Sequence, residues 1–149
     1  MHHIVFFGLL AAVSVAFALL EIQIEGGHGW ASGLPTWRIR NRWTERFLGA
    51  RAITGYHLYA HVFVLLLVHL PYAVVPDAWD WRVELRILAF LILFWILEDF
   101  LWFVLNPRYR LRRFRPQYVW WHAASWWGPM PRDYWLFIPV GIVLYLVAW

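Results

Sequence analysis

His57 and His61 are four residues apart within apolar sequence, so a helix carries both imidazoles on one face. Glu98 and Asp99 interrupt a second apolar run, and Glu21, Glu25 and His28 close a third. His122 stands between two tryptophan pairs. Imidazoles converging with carboxylates form a nitrogen and oxygen donor set, which suits iron, zinc or manganese. His57, His61 and Glu98 make a two-histidine, one-carboxylate set that leaves positions open on a divalent metal ion. Glu25, His28 and His122 are further candidate ligands, and Glu25, His28 and Glu98 are the candidate catalytic acid–base groups. Glu21 and Asp99 are additional candidates. Asp99 lies about 100° round a helix from Glu98, so one of that pair is expected to face the interior.

These groups sit in a chain that water cannot solvate. Among 149 residues, 62% are hydrophobic, 21% aromatic and only 15% charged, against roughly 25% charged in a soluble domain. The composition identifies a membrane protein. No cysteine is present, which excludes thiolate zinc sites, iron–sulfur clusters, disulfides and cysteine nucleophiles. Every basic residue is arginine and the net charge is +4. The excess lies in particular connections, so it speaks of membrane orientation and implies no nucleic-acid partner.

Crossing a bilayer takes about 20 mostly apolar residues. Four stretches approach that length: residues 4–20, 52–75, 85–105 and 134–149, the last carrying Pro139 and Gly141. The expected fold is therefore all-α and polytopic, a single four-transmembrane-helix bundle over residues 1–149. Eleven arginines fall in segments 21–51 and 106–133, against two in segment 76–86. Positive charge concentrates on the cytoplasmic side, so both long connections are expected there, with both termini outside, as in a bacterial-type inner membrane. On this topology His57 lies about 8 Å, and His61 about 14 Å, beyond the start of span two at Ala52, with Glu98 about 10 Å inside the end of span three. Three spans and two connections thus offer their polar groups to one inner layer.

The two connections read as interfacial amphipathic segments. In residues 36–51, Trp37, Ile39, Trp43, Phe47 and Leu48 alternate with arginines, and residues 108–135 repeat the chemistry more densely. Arg38, Arg110, Arg112 and Arg113 are candidate anionic headgroup contacts. Most of the tryptophans are explained by an interfacial belt. His2, His3 and His69 lie away from the cluster and read as helix-end residues with local partners.

A charge at the bilayer centre costs about 2.5–3.5 kcal/mol even on lenient scales, so a layer of them calls for a function. The reading preferred is an enzyme, metal-dependent or acid–base, acting on a lipid or isoprenoid-like substrate. A non-catalytic subunit of a membrane complex or a homo-oligomer, with histidines on haem or aromatic faces against pigment or quinone, is the alternative. A metal-ion or proton transporter is a third, opposed by the lack of polar residues through the outer half of the spans.

Overall fold

The computed structural model describes residues 1–48 and 51–149, with the Phe47 side chain also outside the described set. The chain is mostly helical. Three helices are long and apolar enough to cross a membrane: α1 (His2–Glu25), α3 (Gly55–Val74) and α4 (Trp81–Leu105). A fourth long helix, α5 (Arg132–Ala148), has 17 residues, about 26 Å of rise against a hydrocarbon core of about 30 Å. A seven-residue helix, α2 (Arg42–Leu48), lies in the first connection.

Helix α4 is the central element, with α1 and α5 packed along it. On α1 the packed stripe is Leu10, Ser14, Ala18, Glu21, Ile22 and Glu25, a helical repeat of three and four residues. Ser14 and Ala18 are fully buried, because small side chains let helix backbones approach within a membrane. On α5 the same role falls to Gly141, where a Cβ would lie 2.8 Å from Leu93. At the N-terminal end of α1, His3 hydrogen-bonds the Tyr145 hydroxyl, and Phe6, Phe7 and Trp149 pack around that ring. His3 therefore has a side-chain partner, whereas His69 bonds the Leu65 carbonyl of its own helix at 2.7 Å, as a local partner requires.

Helix α3 is attached along a narrow seam. His57, His61, Val64 and Val68 form its inward stripe, with His61 stacked on Trp95 and Val64 buried against Leu10, Leu91 and Phe94. Only 6% of its apolar window is buried. The helix starts sharply because Thr54 accepts the amide of His57 at 3.2 Å, a side-chain cap for an otherwise unsatisfied N–H.

Among the described residues, neither connection is one continuous helix. Residues Arg38–Ile39 form strand β1, paired antiparallel with β2 (Ile53–Thr54), and helical geometry is confined to α2 between them. The Trp37-Arg-Ile-Arg40 stretch alternates strictly, which is a strand period as much as a helical one. The second connection holds two 3-10 turns, Leu111–Arg113 and Ala123–Ser125, then a hairpin of β3 (Trp126–Trp127) with β4 (Met130–Pro131). Its interior is aromatic: Trp121 and Val119 are buried with Trp102 and Phe103 of α4.

Candidate metal centre

Where α1 ends, the sequence Glu25-Gly-Gly-His-Gly-Trp-Ala31 turns the chain back beneath the helix. Gly26 and Gly29 adopt φ of +67°, and Trp30 and Ala31 follow at +50°. Left-handed backbone suits glycine and strains the two residues after it. The turn brings the Ala31 amide onto Oε1 of Glu25. It also places the Trp30 indole on the imidazole of His57, with centroids 4.1 Å apart and planes 21° from parallel. Trp30 is fixed in turn by a 2.8 Å bond from its Nε1 to the Ala52 carbonyl.

His57 is held from its other side. Its Nδ1 lies 2.7 Å from the Thr54 hydroxyl, and its Nε2 faces Oε1 of Glu25 at 3.5 Å. With the Nδ1 proton assigned toward Thr54, Nε2 presents its lone pair to the carboxylate, the tautomer a metal ligand needs. Glu21, one turn back on α1, completes a trio with Glu25 and His57 whose ligand atoms all lie within 4.8 Å of one another.

The trio lines a cavity of about 250 Å³. From α4 come Trp95, Glu98, Asp99 and Trp102, from α5 Asp133, Tyr134 and Phe137, and from the connections Arg51, Trp121 and His122. Glu98 and His122 are each 3% exposed. Glu98 lies against the carboxyl of Glu21, and two carboxylates at that range require a proton or a cation between them. Among the described residues, Oε1 of Glu98 and both ring nitrogens of His122 are buried with no hydrogen-bond partner. Asp99 accepts a 2.6 Å bond from the Tyr134 hydroxyl, and the same oxygen lies 3.5 Å from Nε2 of His122.

Among the described residues, Arg51 is the guanidinium in the cavity wall, and it is already engaged. Arg51 bonds Asp133 at 2.6 Å and lies over the Trp30 ring at 5.2 Å. Burial works to raise the Asp133 carboxyl, but the hydrogen bond and charge of Arg51 outweigh it and hold the group below its ordinary range.

The structure thus gathers Glu21, Glu25, His57, Glu98, Asp99 and His122 around one cavity, with His61 at its wall and His28 outside it. His28 is exposed and lies outside the cavity wall, because the left-handed turn at Gly26 ends the helix that would have aligned it with Glu25. His61 reaches the cavity, but its Nδ1 bonds the His57 carbonyl at 2.7 Å and its ring is stacked flat on Trp95. Both Glu98 and Asp99 line the cavity, where only one was expected to face inward. Of the headgroup candidates, Arg38 donates to the carbonyls of Ala31, Leu34 and Thr36 and so clasps the first connection. Arg110, Arg112 and Arg113 lie exposed at the 3-10 turn, with Arg113 bonded to the Arg108 carbonyl.

Several positioning residues escaped the sequence reading. Asn106, 2% exposed at the end of α4, donates to the Gly26 carbonyl at 2.9 Å and ties the two acid-bearing helix ends together. Thr36 accepts the Tyr56 amide at 3.0 Å, and Trp37 accepts that of Gly55 at 3.1 Å, docking the first connection onto α3. Their signal was the unusual density of polar and aromatic types in Gly29-Trp-Ala31, Leu34-Pro-Thr-Trp-Arg38 and the run ending Asn106-Pro107.

A second, wholly apolar groove of about 380 Å³ runs along the adjoining face of α4. Leu93, Ile96, Leu97 and Phe100 form its floor, Phe7 and Leu10 one side, and Tyr134, Ile138 and Ile142 the other. Ile96 and Tyr134 belong to both spaces. The chain matches no family model, no curated protein and no solved structure.

Proposed function

We propose that the protein is a membrane-embedded metalloenzyme acting on a lipid or isoprenoid-like substrate, with four spans and its polar site near the cytoplasmic leaflet. The observation that carries this reading is the trio of Glu21, Glu25 and His57 at mutual ligand distance, with Glu98 against Glu21. An unneutralised group of buried carboxylates is strongly unfavourable, and a divalent cation relieves it. Glu21, Glu25 and His57 would hold the ion, with iron, zinc and manganese all suited to that donor set. When bound, such an ion supplies Lewis acidity and activates water.

The remaining residues have assignable tasks. Thr54 and Trp30 hold the His57 ring in one tautomer and one orientation. The phenol of Tyr134 fixes the Asp99 carboxylate beside His122. Trp30, Trp102 and Trp121 keep bulk water from the acids. The apolar groove receives a hydrocarbon chain, while Ile96 and Tyr134 mark the point where that chain would meet the polar cavity. The arginines of the 3-10 turn stand at the membrane surface, suited to an anionic headgroup.

The test is total-metal analysis of protein purified in detergent without chelators, together with its absorption spectrum. A near-stoichiometric divalent metal, lost in Glu25→Ala/His57→Ala, is expected. Protein free of metal after this preparation refutes the metalloenzyme reading, and a Soret band would replace it with haem binding.

A further inference from the structure

Resting on that metal centre, we infer that the cavity binds a second divalent ion, carried by Asp99 and His122, with Glu98 a neighbouring carboxylate on the same cavity wall. The first argument is charge. Glu21, Glu25, Glu98 and Asp99 line one cavity and carry four negative charges when ionised. Arg51 meets Asp133 at 2.6 Å, and Arg132 shares that carboxylate at 3.2 Å. A single divalent ion matches only two of the four acids.

The second argument is geometry. Nε2 of His122 and Oδ2 of Asp99 are 3.5 Å apart, too long for a strong hydrogen bond. The same separation lets both atoms reach one ion at about 2.0–2.2 Å. The third is the unmet bonding of this half of the cavity. His122 is 3% exposed and neither of its nitrogens has a hydrogen-bond partner among the described residues, a state that costs about 1–3 kcal/mol per buried polar group. Glu98 is equally buried and likewise leaves Oε1 unpartnered, although its carboxyl meets Glu21. That oxygen is a further donor on the cavity wall. Tyr134, donating to Asp99 at 2.6 Å, is the outer hydrogen-bond partner that metal-ligating carboxylates ordinarily have. Glutamates and histidines from facing helices build paired-metal sites in this way within helical bundles.

The probe is Mn²⁺ alone, added to metal-stripped full-length protein in detergent. Bound manganese is counted after dialysis. Two manganese per chain are expected, falling to one in His122→Ala. His122→Gln, closer in volume, guards against a folding defect and is expected to give the same loss, with unchanged helicity by circular dichroism. One ion per chain in the wild type, or a His122 variant that still holds two, overturns the second site and leaves the first standing. No bound manganese, iron or zinc at all removes both.

Discussion

The indole of Trp30 lies 4.1 Å above the imidazole of His57, on a backbone held at φ of +50°. A ring so placed covers one face of the proposed ligand and prevents it from rotating. Trp30→Ala is expected to weaken metal binding about 10- to 100-fold, the usual effect of losing outer support for a ligand. Competition against a chelator of known affinity measures this, and Trp30→Phe should recover part of it. Unchanged affinity in Trp30→Ala would mean that the stack has no bearing on the site.

Thr54 serves both the helix and the ligand, since its hydroxyl meets the amide and the Nδ1 of His57. Thr54→Val should lower stability by about 1 kcal/mol through loss of the cap and separately reduce metal affinity. Thr54→Ser restores both. Affinity that tracks stability alone across the three proteins would show that the bond to Nδ1 has no role.

Asp133 gives the acid limb of stability a specific origin. Arg51 holds its carboxyl below the ordinary range despite burial, so the folded protein releases that proton more readily than the unfolded chain does. The stabilisation is complete above the unfolded value and disappears as pH falls through the lower folded one. Thermal unfolding in detergent should therefore show Arg51→Gln/Asp133→Asn less stable than wild type at pH 7, with the difference closing below about pH 4. A pH-independent difference would assign the effect to packing of Arg51 on Trp30.

Removing the ion should cost stability by mass action. With free metal at about 100 times its dissociation constant, the stabilisation is about 2.7 kcal/mol. Chelator-stripped protein is expected to unfold at lower temperature and to recover on addition of metal, whereas Glu25→Ala/His57→Ala should be insensitive to both. Equal sensitivity in that variant would move the stabilising ion elsewhere.

The apolar groove is tested by filling it. Ile138→Trp places an indole between Ile142 and Tyr134 without altering any polar residue of the cavity. Metal content should be unchanged while copurifying lipid, quantified by mass spectrometry after extraction, declines. Equal lipid in both proteins would refute a chain-binding role.

Much of this layout was legible because membrane spans impose a simple ruler. A rise of about 1.5 Å per residue predicts His57 and Glu98 at matching depth, and both line the cavity. The departures come where the chain leaves regular structure. His28 is a candidate ligand by type alone, and Gly26 ends the helix before it, leaving it outside the cavity. Trp37-Arg-Ile-Arg40 satisfied two periods at once, and the hairpin partner at Ile53–Thr54 decides between them only in three dimensions. His61 shares a helical face with His57, yet stacking on Trp95 directs it along the seam. Asn106 and Thr54 were invisible for a related reason, since a cap acts on whatever the fold delivers to it.

The slender attachment of α3 has a consequence for access. Its inward stripe has only four side chains, and one of them, His61, is itself exposed with Phe137 at the border of the polar cavity. For the proposed lipid-like substrate that border would be a doorway from hydrocarbon, and it would discriminate by solubility ahead of shape.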